Sequence, residues 1–173
     1  MHKQRDADHE KKDPRFQAWY GNFQATMRSL QRIDRDVEAA TGLPLASIEL
    51  LVNIAMMEGG RIRMGELADT LLLSRGGATR LVARLEEAGL VAREIPPDDR
   101  RATYAVITDK GLELLETGTP AMQKAVEHHY LDYLDEEELA TMRRASLKIL
   151  DVTGSNCDWL MEDLRAAEES AGA

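Results

Sequence analysis

The chain has 173 residues, of which 43% are hydrophobic, 31% charged and 5% aromatic. This length suits a single domain with its own core, and the small aromatic share argues against a surface that works mainly by stacking sugar rings. Because residues 1–13 are polar and no run of roughly eighteen apolar residues occurs, we expect neither a secretory signal nor a membrane span, and we expect a cytoplasmic protein.

The formal net charge of −9 is unevenly distributed along the chain. Residues 109–173 contain 6 basic and 15 acidic side chains, whereas residues 1–108 contain 16 of each. Within residues 61–85, five arginines face two acids, which is a local charge of +3. Phosphate binding requires only the contacting face to be positive, so this segment is compatible with a nucleic-acid partner.

The first predicted element is a long amphipathic helix that begins near Pro14 and is stopped by Thr41-Gly42. Residues 1–13 before it alternate in charge and predict a disordered tail. A helix with so many aromatic residues near a chain end is expected to bury them against something large. Its apolar positions, at three- and four-residue spacing, are Phe16, Trp19, Tyr20, Phe23, Met27, Leu30, Ile33 and Val37.

Three short elements follow. Pro44 suits the first turn of a helix that ends at Met57, before Glu58-Gly59-Gly60. Residues 61–64 read as a short extended piece, and residues 65–71 as a two-turn helix.

The next predicted helix runs to Ala88, with Ser74 as its N-cap and Gly89 closing it. Gly76 and Gly77 occupy its first turn, although a glycine costs about 1 kcal/mol relative to alanine in a helix interior. This pair of glycines therefore needs an explanation.

Residues 91–95 and 103–107 are β-branched segments of period two, and the turn residues PPDDRRA between them predict a hairpin with a charged tip. Thr108 is the predicted N-cap of a helix that reaches about Leu134 and bends at Pro120.

A last helix starts at the acidic run after Asp135 and extends through Trp159, Leu160 and Leu164, and residues 166–173 form a tail. The predicted fold is thus mostly α-helical, with six helices and a small β-hairpin. A short helix, a turn, a capped helix and a hairpin in this order are typical of a winged helix-turn-helix, whose second helix can enter a major groove.

The segment from Leu67 to Gly111 closely resembles the MarR family of bacterial transcription regulators. The family's wing pattern is Asp-x-Arg, five residues, then Leu-Thr-x-x-Gly, and here it runs from Asp99 to Gly111 with Ile107 replacing the leucine. The flanking helices have the family's order and lengths. The matching residues are Leu67-Ala68, Ser74-Arg75, Thr79-Arg80-Leu81-Val82, Leu85-Glu86, Ala88-Gly89-Leu90-Val91, Asp99-Arg100-Arg101 and Thr108-Asp109-Lys110-Gly111.

The resemblance implies a homodimeric repressor on double-stranded DNA. Residues 14–42 and 109–165 would form the helical dimerisation region, and residues 43–108 the winged helix-turn-helix. Two recognition helices would occupy successive major grooves of an inverted-repeat operator, with half-sites about 34 Å apart. Arg101 would enter the minor groove from the wing tip, and Asp99 would hold its guanidinium group. The DNA-binding residues so predicted are Ser74, Arg75, Gly76, Gly77, Thr79, Arg80, Arg84, Asp99, Arg100 and Arg101.

The two glycines have a hypothetical role on this basis. Without side chains at Gly76 and Gly77, the amide groups capped by Ser74 could approach a phosphate closely. Larger polar residues are more common there in the family. Arg84 suits a phosphate contact, with an ion pair to Glu87 or simple exposure as the alternative.

The resemblance also implies a small effector, often phenolic or anionic, bound between the dimerisation helices and the DNA-binding lobe. The candidate lining residues are Trp19, Phe23, Met56 and Leu112, although core packing explains them equally well. An effector acts only through different affinities for two arrangements of the lobes.

Other chemistry has little support in the sequence. His128 and His129 point about 100° apart on a helix and are expected to be a surface pair, although His128 with Asp132 could form half of a metal site. Cys157 lies far from the first helix, where thiol-sensing relatives carry a cysteine. We predict no enzymatic activity, no cofactor and no metal. The alternative function is a dimeric ligand-binding or anti-regulator protein of the same fold that no longer binds DNA.

Overall fold

The structure is a computed structural model that describes residues 13–71, 73–97, 99, 102–154 and 158–171. Over these ranges the chain is mostly helical with a small antiparallel sheet, as predicted, although seven α-helices are present where we predicted six. The helices are α1 (Pro14–Thr41), α2 (Leu45–Met56), α3 (Met64–Thr70), α4 (Arg75–Glu87), α5 (Asp109–His129), α6 (Glu136–Thr153) and α7 (Asp158–Ala171), and the strands are β1 (Arg61–Arg63), β2 (Val91–Glu94) and β3 (Tyr104–Ile107).

The ends of α1 follow local rules. Asp13 caps its N-terminus by accepting a hydrogen bond from Arg15 N at 2.9 Å. The Arg15 guanidinium also donates to this carboxylate, and together the two bonds lower the pKa of Asp13 below its ordinary value. Gly42 ends the helix in the left-handed conformation, with φ at 73°, which glycine adopts without strain.

The sheet has three strands in the order β1-β3-β2, so the predicted two-stranded hairpin was incomplete. The extended piece at residues 61–64 forms β1 and pairs antiparallel with β3, with Ile62 opposite Ala105. Both of these side chains are buried. A three-residue strand is too short to show a period-two pattern, so only its pairing identifies it.

The C-terminal helices differ from the prediction. Helix α5 passes through Pro120 as one element but ends at His129, and a 3₁₀ turn at Leu131–Tyr133 follows it, so the predicted end at Leu134 was wrong. Gly154, with φ at 85°, ends α6, and α7 is a separate helix. Because α7 reaches Ala171, residues 166–171 are helical where we predicted a tail.

Two clusters of buried side chains hold the fold together. The larger one joins α2, α3, α4 and the sheet, and includes Leu51, Leu67 and Leu85, none more than 1% exposed. The smaller one joins α1, α2 and α5 through residues such as Val37 and Ile48. Helix α2 contributes to both clusters, so it connects the lobe formed by α3, α4 and the sheet to the lobe formed by α1 and α5.

In the described ranges, each helix taken alone is too short or too polar to cross a membrane. Only α1 and α2 together, bent by 77°, have the necessary length and apolar content.

Candidate nucleic-acid interface

Helix α4 has one face in the core and one face open. Ala78, Leu81, Val82 and Leu85 are buried. Ser74 is the N-cap, as predicted, and its hydroxyl accepts a hydrogen bond from Gly77 N at 3.1 Å. The helix is therefore fixed by its apolar side and its cap. The exposed residues of the helix are Arg75, Gly76, Thr79, Arg80, Arg84, Glu86 and Glu87.

Three arginines on this open face have no ion-pair partner among the described residues: Arg75, Arg80 and Arg84. Arg84 therefore does not pair with Glu87, and that alternative is wrong. The Thr79 hydroxyl donates to the Arg75 carbonyl at 2.8 Å, so its proton is already used within the helix. Arg80 and Arg84 are one turn apart, so their guanidinium groups lie side by side and form a site for anions, whereas Arg75, nine residues before Arg84, lies about half a turn around the helix from it.

Other nearby arginines are already paired. Arg61 lies 3.6 Å from Glu94, and its guanidinium carbon is 5.0 Å from the centre of the Tyr104 ring. Arg93 lies 3.2 Å from Glu86. Such exposed pairs contribute little stability, but they leave less positive charge at β1 and β2 than at α4.

Arg63 and Asp99 connect β1 to the turn between β2 and β3, with Arg63 Nη2 3.6 Å from Asp99 Oδ2. From the sequence, the Asp99 carboxylate was predicted to hold the guanidinium group of Arg101 only. Arg100 and Arg101 lie outside the described residues, so their predicted roles stay predictions. Arg63 reaches Asp99 only because β1 pairs with β3. The sequence did not predict that pairing, so it did not predict the ion pair either.

The end of α4 is fastened to the start of α5 by consecutive hydrogen bonds. We call Ala88–Leu90 together with Thr108–Gly111 the α4–α5 joint. The carbonyl oxygen of Ala88 accepts from Lys110 Nζ at 2.7 Å, that of Gly89 accepts from the Thr108 hydroxyl at 2.8 Å, and that of Leu90 accepts from Thr108 N at 3.1 Å. The joint fixes the direction of α4 relative to the long helix α5.

Gly111 lets the two parts of this joint approach each other. A Cβ atom at Gly111 would lie 2.4 Å from the Leu90 carbonyl oxygen and 2.8 Å from Ile107 Cγ1. Its amide also donates to the Thr108 hydroxyl at 3.1 Å, which caps α5. The last position of the Thr-x-x-Gly pattern is therefore restricted to glycine because any larger side chain would collide with Leu90 and Ile107.

The glycines at the start of α4 have unequal surroundings. A Cβ at Gly76 would be 3.5 Å from Arg80 Nη1, an ordinary contact. At Gly77 it would be 3.2 Å from Ser74 Oγ, which is close for a Cβ atom. The glycine at position 77 therefore has a reason within the helix itself, because the absence of a Cβ leaves room for the Ser74 hydroxyl that caps α4.

The four candidate effector residues are all substantially exposed. Trp19 and Phe23 stack with their ring centres 5.8 Å apart. Met56 is 53% exposed and Leu112 is 46% exposed. The ring contact connects only the two members on α1, so an effector site made by all four stays a prediction.

The two histidines have different environments. His128 is exposed and its Nδ1 is 4.0 Å from Asp132 Oδ2. The His129 side chain is only 12% exposed and its Nε2 is 2.7 Å from Asp36 Oδ2 on α1, so the predicted surface pair is wrong for His129. The described residues contain no group of three or more potential metal ligands, and Cys157 lies outside them.

The chain is similar to known proteins in sequence and in fold. A family model described as the MarR family matches residues 41–102. Among solved structures, AbsC, a MarR family transcriptional regulator from Streptomyces coelicolor, is 30% identical, with a TM-score of 0.75 over 82% of this chain and 95% of AbsC. Sco3205 from the same organism, solved in complex with DNA, is 30% identical, with a TM-score of 0.73 over 79% of this chain and 88% of Sco3205.

A curated relative matches a shorter segment. The HTH-type transcriptional regulator MhqR of Bacillus subtilis is 36% identical over 74 residues, which cover 43% of this chain and 50% of MhqR. The chain thus spans about half the length of this relative. AbsC and Sco3205, in contrast, are matched over most of their length at 30% identity in the same fold. The chain belongs to the MarR family of winged helix-turn-helix transcriptional regulators.

Proposed function

We propose that this protein binds double-stranded DNA and represses transcription as a cytoplasmic homodimer. The observation that carries the proposal is the open face of α4, where Arg75, Arg80 and Arg84 are exposed without ion-pair partners in the described part of the chain. Arginine forks match both phosphate oxygens and guanine edges. Sco3205, whose structure contains DNA, has the same fold.

The start of α4 also suits a phosphate. Gly77, Arg80 and Arg84 line one groove of about 520 Å³. A phosphate seated there would meet two positive side chains and the positive end of the helix dipole. Arg80 and Thr79 would then face the bases, and Arg84, one turn further on, would contact the backbone.

The aromatic stripe of α1 supports a second copy of the chain as partner. Phe16, Trp19, Tyr20 and Phe23 are 38% to 59% exposed in the single chain, and their rings stack along one face of the helix. A contiguous apolar surface of this kind marks an interface. A two-fold dimer would place two α4 helices in successive major grooves of an inverted repeat, with centres about 34 Å apart.

Regulation by a small effector is part of this proposal. The family resemblance supports a ligand between the dimerisation helices and the DNA-binding lobe, with Trp19, Phe23, Met56 and Leu112 as its candidate contacts. Such a ligand would release DNA by binding more tightly to an arrangement in which the two α4 helices no longer match successive grooves.

Selection of genomic fragments by the full-length protein tests the proposed function. The wild-type protein should retain a small set of inverted-repeat fragments at moderate salt, and its affinity should fall steeply as salt increases because phosphate contacts release counterions. Arg101→Ala should weaken binding of the selected fragment roughly tenfold to a hundredfold, because a minor-groove arginine is lost. Electrophoretic mobility shifts at two salt concentrations measure both effects.

Two results would contradict the proposal. Unchanged binding by Arg101→Ala would remove the wing from the mechanism. No retained fragment even at low salt would favour the alternative of an anti-regulator that keeps the fold without DNA contact. Sedimentation of the same samples reports whether the protein is a dimer.

Gly77→Ala tests the close approach of the helix start to a phosphate. An added methyl group should lower affinity for the selected fragment at least several-fold, because it would stand between the amide groups and the phosphate. Gly21→Ala on α1 is the matched comparison, since it adds the same methyl group to a helix outside α4, at a place with no neighbouring atom within 4 Å. If Gly77→Ala bound as tightly as wild type, the close-approach hypothesis would fail and the local role beside Ser74 would remain.

A further inference from the structure

One stripe of residues on α4 points directly away from the core. Successive helix residues turn by about 100°, so positions spaced by four, three and four residues line up along the helix. The stripe lies on the opposite side from the buried residues, which include Leu81 and Leu85. We call it the outward stripe. From the start of the helix, its members are Gly76, Arg80, Ala83 and Glu87.

The charges along the outward stripe favour the approach of its first half to DNA. Arg80 is exposed and has no ion-pair partner among the described residues, whereas Glu87 places an exposed carboxylate about 10 Å further along the helix. The helix dipole adds positive potential at the start of α4 and negative potential at its end. Phosphates therefore attract the first two turns and repel the last one, so side chains of the first two turns are the ones placed to meet base edges.

Few side chains in these two turns can donate a hydrogen bond to a base. On the outward stripe, Gly76 has no side chain and Ala83 has only a methyl group. Thr79 lies beside the stripe, but its hydroxyl donates to the Arg75 carbonyl at 2.8 Å, so it offers a base only lone pairs and a methyl group. Direct readout by this part of α4 therefore depends mainly on the Arg80 guanidinium group.

Gly76 leaves the space that the Arg80 side chain occupies. Helical side chains slope toward the start of their helix, so a residue lies over the one four positions before it. A Cβ atom placed on Gly76 would be 3.5 Å from Arg80 Nη1, which puts the guanidinium group over this glycine. A long side chain at position 76 would compete for the same space, and Arg80 would have to move aside.

We propose that Gly76 is a specificity-determining residue, because it lets Arg80 alone contact one guanine in the major groove of each half-site. A guanidinium fork matches the O6 and N7 acceptors of guanine. Each half-site would then have one strongly specified base pair under α4, and the shape of the DNA would supply the rest of the selectivity. This inference rests on the proposed function, and it adds the base that is read and the glycine that decides how many side chains read it.

Selection from randomised DNA by the full-length protein, followed by mobility shifts, tests the inference. The wild-type protein should enrich half-sites that share one guanine. The measured quantity is the guanine ratio, which is the affinity for the selected fragment divided by the affinity for the same fragment with that G·C pair changed to A·T in one half-site. We expect a guanine ratio of about five or more for the wild-type protein and about 1 for Arg80→Ala. A general loss of stability or of phosphate contacts would leave this ratio unchanged.

Gly76→Gln tests the role of the glycine. The glutamine side chain would share the space of Arg80, so the guanine ratio should fall roughly threefold or more, and a new preference for adenine should arise beside the guanine. Glutamine also has a higher helix propensity than glycine, so unfolding of α4 would not explain the change. The matched control is Gly21→Gln on α1, where no neighbouring atom lies within 4 Å of the added Cβ and the wild-type ratio should be kept.

The possible failures are distinguishable. If no DNA is retained even at low salt, the proposed function fails and this inference fails with it. If DNA is retained but Arg80→Ala or Gly76→Gln keeps the wild-type guanine ratio, the proposed function stands and this inference alone is overturned. It is also overturned if Gly21→Gln lowers the ratio as much as Gly76→Gln does.

Discussion

Gly111→Ala should lower the free energy of unfolding by about 3 kcal/mol, at the upper end of the cost of overpacking. The new Cβ would lie 2.4 Å from a backbone oxygen, that of Leu90, so no side-chain rotation relieves the clash. The α4–α5 joint would have to open, and its hydrogen bonds from Thr108 and Lys110 would weaken with it. Urea denaturation at a fixed protein concentration measures the loss.

Gly21→Ala is the matched control for this substitution. Gly21 lies inside α1, and no neighbouring atom is within 4 Å of the place that an alanine Cβ would occupy. Alanine should therefore raise the free energy of unfolding by about 0.5 to 1 kcal/mol through helix propensity alone. If Gly111→Ala lowers the free energy of unfolding while Gly21→Ala raises it, the loss at Gly111 comes from the steric clash of the new Cβ and not from the substitution of glycine by alanine in itself. A denaturation midpoint for Gly111→Ala equal to that of the wild-type protein would contradict the close packing of the joint.

Arg80→Ala and Arg84→Ala should each weaken binding of the selected DNA by about 1 to 3 kcal/mol, which is roughly fivefold to 150-fold. Both side chains are exposed on the open face of α4, while the opposite face, which includes Leu81 and Leu85, is buried in the core. If Arg84 contacts a phosphate, its loss should also reduce the slope of log affinity against log salt by about 1. Loss of a base contact at Arg80 should instead relax sequence preference.

Arg35→Ala is the control for charge alone. Arg35 is exposed on α1, and among the described residues it has no ion-pair partner, so its removal changes the net charge equally. We expect the DNA affinity of Arg35→Ala to stay within about twofold of the wild-type value. Salt screens the interaction between DNA and a charge on α1 that is more than a Debye length from it. Equal losses for all three variants would indicate a diffuse electrostatic effect, and no loss at Arg80 and Arg84 would remove α4 from the interface.

Local sequence determined most of the helix and strand positions. The Ser74 cap, the left-handed Gly42 and the acidic start of α6 act within four residues, so each is readable from the chain. The same holds for β2 and β3, whose β-branched residues flank a turn. The wing pattern from Asp99 to Gly111 also identified the family, because its spacing is specific.

Contacts between distant residues were decided by tertiary structure. The β1 strand exists only through β3, more than forty residues later, and Lys110 reaches the Ala88 carbonyl over 22 residues. The His129 side chain is only 12% exposed because α5 packs against α1 beside Asp36. A local pattern gives a helix its apolar face but does not say which groups of another helix meet it.

The sequence by itself determined a winged helix-turn-helix with arginines on the second helix, because caps, periodicity and turn residues act over a few positions. Only the tertiary structure decided which of the described arginines lack an ion-pair partner, why Gly111 must be glycine, and that β1 joins the sheet. Those features depend on distances between chain segments far apart in sequence, and packing sets these distances.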